Sequence, residues 1–308
     1  MAFPLFLLSL VAVHVPYLPV CEATWHDAAR NRDIPVRIRM PDIADAPVDA
    51  KAPVILFSHG LGGNLDAGTE WGKAWAREGF IVVHIQHPGS DTAIWRGGMA
   101  SVRAAMGAQQ LIARAGDVHF ALDHLALHGK EGACDLARAD LDHVGMAGHS
   151  FGAVTTQAVS GQRYPRVGAA FLDPRIDAAI AFSPSPGRDG QSDAETFAGI
   201  TIPFLSVTGS DDAVPQLTST TPADRERPFR AMPTGGKYLL WLDGTTHAAF
   251  SGNDYAARGT APDSHVRPLI LRVTAAFWWW TLRGAAWAKA DLDKPDPELG
   301  PRDRFEKR

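Results

Sequence analysis

The sequence predicts an α/β fold, a doubly wound and mostly parallel sheet flanked by helices, and three observations predict it. Short, continuously apolar runs such as Pro53-Val54-Ile55-Leu56-Phe57 show no polar alternation, the pattern of strands buried on both faces of a parallel sheet. Segments of helical periodicity separate these runs, as repeated βα units require. One run, His143-Val144-Gly145-Met146-Ala147, passes through Gly148-His149-Ser150-Phe151-Gly152 directly into a helical stretch starting at Ala153. At 308 residues the chain is long for one domain and short for two, and α/β folds of this size are often single.

The first element is not part of that sheet. Residues 2–13 form an apolar core of a length suited to a secretory leader and too short to span a bilayer. Residues 1–23 are therefore expected to be a signal peptide cleaved after Ala23, which places the protein outside the cytoplasm, secreted or periplasmic. No lysine or arginine precedes the core. Leu18-Pro19-Val20-Cys21 resembles a lipoprotein box only loosely, with valine where a small residue is wanted. The competing reading is an over-long gene start or an irregular arm on a cytoplasmic protein.

The folded domain is expected over 24–288. Residues 23–27 and 33–40 read as two strands joined by a polar turn, the second with one wet face because apolar and charged residues alternate. Pro41 ends it, and an Asp-, Ala- and Pro-rich loop leads to the buried strand 53–57. The glycine-rich turn Ser58-His59-Gly60-Leu61-Gly62-Gly63 follows, then a helix over 69–78 closed by Gly79 and a strand over 80–85. Residues 99–128 carry a long helical pattern that Gly107 and Gly116 can bend or break. Further strands are expected at 178–182, 203–207 and 237–242.

The last helix, 264–283, contains Phe277-Trp278-Trp279-Trp280. Consecutive residues cannot share one helix face, so some of these rings pack on the sheet while another meets a loop or solvent. Residues 289–308 are charged and proline-bearing and read as a loose C-terminal tail. No internal repeat is visible.

Composition excludes several function classes. A net charge of −4 with interspersed charges offers no basic stripe for nucleic acid. Two cysteines, Cys21 and Cys134, argue against a disulfide framework, and a cleaved leader would leave Cys134 unpaired. No C-x-x-C or H-E-x-x-H cluster is present. His84 and His87 stand three apart on a strand and point to opposite faces, so no metal is expected.

The Gly148-His149-Ser150-Phe151-Gly152 turn is a nucleophile elbow. Its serine takes a strained backbone, and glycine two residues before and after clears the neighbouring strand and helix. A serine hydroxyl needs a base, and that base needs an orienting group, found in the chain order serine, acid, histidine. Asp212, three residues after Gly209 on the loop behind the 203–207 strand, is the expected acid. Asp211 is its rival, with Asp173 and Asp177 as weaker candidates. His247, after the last strand, is the expected base, with His265 as the later alternative. The amides of Leu61 and Phe151 are the expected oxyanion donors. His59, His87, Ser183 and Phe250 are expected to border the substrate cleft, where Leu61, Phe151 and Phe250 supply an apolar lining.

With these motifs and Gly244-Thr245-Thr246-His247 in place, the chain resembles the α/β-hydrolase superfamily. More narrowly it resembles the serine esterase branch containing plasma platelet-activating factor acetylhydrolase and cutinase-type polyester hydrolases. In the acetylhydrolase pattern the leucine and phenylalanine amides form the oxyanion hole, which maps onto Leu61 and Phe151. Dienelactone-hydrolase-like proteins share an Asp-x-x-Arg-x-Arg segment (Asp27, Arg30 and Arg32 here), a His-Pro-Gly-Ser segment (residues 87–90) and Thr-Gly-x-x-Asp (residues 208–212). The similarity spans about residues 24–285. The chain departs from the acetylhydrolase in carrying Ser183 where that family places its acid, and from true dienelactone hydrolases in having a serine nucleophile. The resemblance implies a carboxylic-ester hydrolase without a cofactor, acting on small or polymeric esters: short- or medium-chain acyl esters, a polyester or a phospholipid-like ester. An amidase or peptidase with the same triad and a non-catalytic binding protein on this fold are the alternatives.

Overall fold

A computed structural model describes residues 19–41, 50–187, 190–253, 265–294 and 296–308. The leader core lies outside these residues.

The chain opens with strands β1 (Val20–Asp27), β2 (Arg32–Arg39) and β3 (Ala52–Ser58), then α1 (Thr69–Arg77) and β4 (Ile81–Ile85). A 3₁₀ turn over Thr92–Gly97 leads to α2 (Gly98–Ala104) and α3 (Ala108–Leu127). The two-residue strands β5 (Lys130–Glu131) and β6 (Cys134–Asp135) form a small separate ladder before β7 (Ala139–His149) and α4 (Phe151–Val159). Then come β8 (Ile176–Phe182), α5 (Asp193–Phe197), β9 (Phe204–Asp211), α6 (Arg227–Ala231) and β10 (Lys237–Thr246). The chain ends with α7 (Val266–Arg283), α8 (Ala286–Leu292) and β11 (Arg304–Lys307).

Nine strands form one sheet in the order β1-β2-β4-β3-β7-β8-β9-β10-β11. The contiguous strands from β4 to β10 pair in parallel, and the pairs β1/β2, β2/β4 and β10/β11 are antiparallel. The expected α/β architecture is therefore present. The connection from β3 goes to β4 on one side, while β7 lies on its other side. Strand order reverses there, and α/β sheets open a crevice beyond the carboxyl ends of such strands.

Two cores cover the sheet. Trp71 and Trp75 of α1 and Phe277 and Trp278 of α7 pack on one face with β-strand residues such as Phe57 and Leu240. Ala115, Val118 and Leu122 of α3 pack on the other with Val54, Leu56 and Met146. The aromatic run divides as its spacing requires: Phe277 and Trp278 are fully buried, whereas Trp279 and Trp280 pack at the periphery. Gly107 does break the 99–128 pattern. Gly116 does not, and serves instead as a notch: a Cβ there would lie 2.5 Å from the Arg30 guanidinium.

One cysteine pairing and two boundaries differ from expectation. Cys21 and Cys134 are joined in a disulfide. Strand β1 already starts at Val20 and pairs with β2 from Val20↔Arg39 onward. Cleavage after Ala23 would remove half of that strand and one of the two sulfurs. The C-terminal tail, too, is no loose end. Residues 304–307 add β11 to the edge of β10, with Phe305 stacked on Tyr238 at 5.6 Å between ring centres. Four residues with one apolar side chain carry no strand pattern of their own; an open edge needing cover supplies the reason they pair.

Candidate active site

Ser150 sits between β7 and α4 with φ 57° and ψ −113°, a strained conformation for a residue with a Cβ. Its neighbours explain the glycines. A Cβ on Gly148 would lie 2.3 Å from the Gly152 carbonyl oxygen, and one on Gly152 would lie 1.9 Å from that of Ser58. Helix, nucleophile strand and β3 thus close on the turn with no room for a methyl group. The Ser150 N–H donates to Phe182 O at 2.9 Å, tying the elbow to β8.

Asp212 follows β9 and His247 follows β10. Their meeting depends on an irregularity in that ladder. Leu242 pairs with Gly209, but the next pair is Thr246 with Asp211, so β10 carries two more residues than β9 over this step. A continuous register would set His247 opposite Val214. The displacement brings the imidazole to Asp212, and His247 Nδ1–H donates to Asp212 Oδ1 at 2.6 Å. Thr208 Oγ1 donates to the other carboxylate oxygen at 2.7 Å, and Arg225 Nε stands 3.6 Å from Oδ1. Burial by itself would raise the Asp212 pKa; the His247 hydrogen bond, the Arg225 charge and the Thr208 hydroxyl outweigh it and hold the carboxyl below its usual range.

The rival carboxylates are engaged elsewhere. Asp211 is exposed and accepts from Ser210 Oγ. Asp173 accepts from Arg175 at 2.6 Å, Asp177 accepts from the Val144 N–H at 2.8 Å, and His265 pairs with Asp303 at 2.7 Å. Ser150 and His247 line one cavity of about 890 Å³. No hydrogen bond joins them among the described residues. A further link comes from His149, whose Nε2–H donates to the His247 carbonyl at 3.0 Å. Burial, then the neighbouring His247, lower the His149 pKa to about 3, so that ring stays neutral beside the pair.

Leu61 and Phe151 also line the cavity. In the Leu61 turn the Gly62 N–H donates to Ser90 O at 2.8 Å and the Gly63 N–H to Gly60 O at 3.1 Å. Phe151 is the first residue of α4, where amide groups have no acceptor within the helix. Both residues stand at the wall of the same cavity as Ser150.

The four expected cleft residues do not reach that wall. His59 and His87 are buried beneath the Leu61 turn, drawn inward by their hydrogen bonds. His59 Nδ1–H donates to Gly60 O at 2.6 Å, and His87 Nδ1–H donates to Asp117 Oδ2 at 2.9 Å. Ser183 is buried, with φ 59° and its carbonyl bonded to Arg225 Nη1. Phe250 packs in the core, its carbonyl accepting from Trp71 Nε1 at 3.2 Å. Other residues make the wall: Met106, Val154 and Leu217 on the apolar side, Gln162, Tyr164 and Arg227 on the polar side.

Sequence reasoning missed Arg114 and Asp117, both buried in α3. A signal existed. Leu111, Arg114, Ala115 and Val118 follow one helical stripe, and a charge on an apolar stripe marks a buried partner. Arg30 and Arg32, from the Asp-x-x-Arg-x-Arg segment, supply part of it: each donates to Asp117, at 2.9 and 2.7 Å.

No protein-family model matches the sequence, and no curated protein matches it. Among solved structures 976 chains match; a fold so widely shared does not by itself name a substrate. One match is a ferulic acid esterase from Streptomyces cinnamoneus, with a TM-score of 0.63 and 20% identity over 96% of this chain and 98% of that one. At that identity the likeness establishes the fold.

Proposed function

We propose that the protein is a serine carboxylic-ester hydrolase working through an acyl-enzyme. One observation carries this reading: the Asp212–His247 pair, bonded at 2.6 Å, shares a cavity with a serine held on a strained turn. In the proposed reaction the Ser150 hydroxyl attacks the ester carbonyl while His247 Nε2 takes its proton, and Asp212 holds the imidazole tautomer and stabilises the imidazolium. The negative oxygen of the tetrahedral intermediate is met by the Leu61 and Phe151 amides. Collapse expels the alcohol, which receives the proton from His247. Water then repeats the sequence on the acyl-serine and releases the acid.

Leu61, Met106, Phe151, Val154 and Leu217 give one side of the cavity an apolar surface, which suits short- or medium-chain acyl groups, with polyester and phospholipid-like esters as larger candidates. The ferulic acid esterase of the same fold adds an aromatic acyl group to that set. The test is a panel of p-nitrophenyl esters of graded chain length beside methyl ferulate, a polyester film and an anilide. Turnover of esters by the native protein and its loss in Ser150→Ala, with an unchanged melting temperature, is the expected result. Ester turnover retained by Ser150→Ala, or none by the native protein, overturns the assignment.

We also propose export to an oxidising compartment, because the Cys21–Cys134 bond spans 113 residues of a chain and such bonds persist outside the reducing cytosol. Any leader would then be removed upstream of Cys21. Mass spectrometry of the mature N-terminus checks this, and a first residue beyond Cys21 would refute it.

A further inference from the structure

Beneath the Leu61 turn lies a second set of buried polar groups that the proposed reaction does not use. We propose that His59 and Arg114 are positioning residues for the oxyanion site, setting the Leu61 amide by holding the carbonyl at the other end of its peptide. This rests on the ester-hydrolase reading.

The Gly60 carbonyl and the Leu61 N–H belong to one peptide unit, so whatever fixes one end fixes the other. That carbonyl meets three donors: His59 Nδ1–H at 2.6 Å, the Gly63 N–H at 3.1 Å and Arg114 Nη2 at 3.4 Å. Donors on a carbonyl oxygen polarise the peptide and strengthen its N–H as a donor, an effect that grows where water is excluded. The Leu61 amide is thereby both aimed and made more acidic.

The tautomer of His59 is not free. Its Nε2 lies 2.9 Å from the His87 backbone N–H, which can only donate. Nδ1 lies 2.6 Å from Gly60 O and 3.1 Å from Arg114 Nη2, and the shorter contact, to a carbonyl that can only accept, assigns the proton to Nδ1. His87 is held in turn by Asp117 on one ring nitrogen and by the Ser58 hydroxyl, at 2.9 Å, on the other. Burial, and then the Arg114 charge, push the His59 pKa well below its ordinary value and keep this neutral form in place.

Arg114 is fully buried, yet its described hydrogen-bond contacts are to neutral groups, hydroxyl and carbonyl oxygens together with His59 Nδ1, which lies 3.1 Å from Nη2. Nε donates to Ser90 Oγ at 2.8 Å and Nη1 to His59 O at 2.8 Å. Asp117 sits nearby but is bound by Arg30, Arg32 and His87 instead. A buried cation that meets neutral groups costs stability. Its position gives a reason for keeping it: the guanidinium lies 4.3 Å from the ring centre of Phe151, the residue whose amide is the other donor. One positive charge thus underlies both halves of the site where negative charge develops.

The experiment compares His59→Phe, which keeps a ring and loses both hydrogen bonds, with His59→Asn, whose amide N–H can replace Nδ1–H. His59→Phe is expected to lower kcat about 100-fold, in line with loss of one oxyanion donor, with KM within about twofold. Its affinity for a trifluoromethyl ketone that adds to Ser150 should fall in parallel with kcat/KM. His59→Asn should recover most of the lost kcat. Should His59→Phe fail to fold, Arg114→Lys, which keeps the charge and loses the planar fork, is expected to lower kcat about tenfold at unchanged KM. Equal kcat in the Asn and Phe variants, an unchanged kcat in Arg114→Lys, or ketone affinity that does not follow kcat/KM overturns the positioning role alone. Native protein inert toward both esters and a fluorophosphonate overturns the hydrolase reading and this inference with it.

Discussion

The protein builds the same pair of side chains twice, once at the cavity and once beneath the Leu61 turn. His247–Asp212 and His87–Asp117 are both imidazole–carboxylate hydrogen bonds, at 2.6 and 2.9 Å, and both carboxylates are sealed from solvent. They differ in what the second imidazole nitrogen meets. In His87 it accepts from the Ser58 hydroxyl, and the ring is wholly enclosed. In His247 the ring keeps 13% of its surface exposed and lines the cavity beside Ser150. The carboxylates also differ in charge balance. Asp117 is bonded by two guanidinium groups, those of Arg30 and Arg32, whereas Asp212 has a single one, Arg225, at 3.6 Å. One imidazole faces the cavity; the other is closed off on both ring nitrogens. A histidine–aspartate pair by itself is therefore no mark of chemistry, and access to its free nitrogen is.

Substitution of the two carboxylates breaks this comparison most directly. Asp212→Asn should lower kcat about 10⁴-fold, the size of effect known when a triad acid no longer holds the base tautomer; the melting temperature falls as well, because the buried Arg225 loses its carboxylate. Asp117→Asn should weigh more on stability than on rate. It removes the buried charge that holds Arg30, Arg32 and His87 together, a loss of up to about 3 kcal/mol, or about 10 °C in a domain of this size, and it reduces kcat of the folded fraction only about tenfold. Ester kinetics and thermal melts on both variants decide, and the opposite ordering would mean the two pairs have been assigned the wrong way round.

Acid sharpens the contrast further. His87 has its pKa lowered to about 4, by burial first and then by Arg114, against an unfolded value near 6.5. Below that unfolded value the denatured chain binds a proton that the folded chain refuses, so stability falls as pH drops from about 6.5 towards 4. Asp117, held at about 2 because its bonds to His87 and Arg32 outweigh its burial, adds a second loss below about pH 4. Denaturant midpoints measured across this range should fall on the acid side, and less steeply in His87→Gln, the remaining slope coming from His59, His84 and His149, whose burial lowers their pKa values as well. A native profile that stays level from pH 7 to 4 would contradict the neutral, sealed imidazole.

Two smaller effects separate the scaffold from the site. Cys134→Ser should cost about 2–5 kcal/mol of stability with kcat per folded molecule unchanged, because the disulfide joins β1 to the β6 ladder and touches neither pair. Asp211→Asn should change kcat by less than about twofold, since that carboxylate is exposed and bonded only to Ser210 among the described contacts. A larger loss there than in Asp212→Asn would reassign the acid.

How much of this was legible varies from residue to residue. The elbow was, because Gly148 and Gly152 are required by clashes with atoms a few residues or one strand away. Asp212 and His247 could be picked by chain order, though not their bond, which depends on the two-residue offset between β9 and β10. His59 and His87 were read as cleft residues because they follow the right strands, and a strand's end places a residue without aiming its side chain. Their burial is set by Arg114 and Asp117 on a helix whose charged positions carried the clue. Phe250 and Ser183 were misplaced for the same reason.

The sequence by itself determined the alternation of buried strands and helices, the strained turn that carries Ser150 and the order in which its partners arrive. Those follow from local sterics and from hydrophobic periodicity, which act over a few residues. The tertiary structure alone decided which carboxylate meets which imidazole, that Cys21 finds Cys134, and that the last four strand residues seal the edge of β10. Those outcomes depend on register, on packing volume and on charges brought together from distant parts of the chain, and none of these is a property of any short stretch of it.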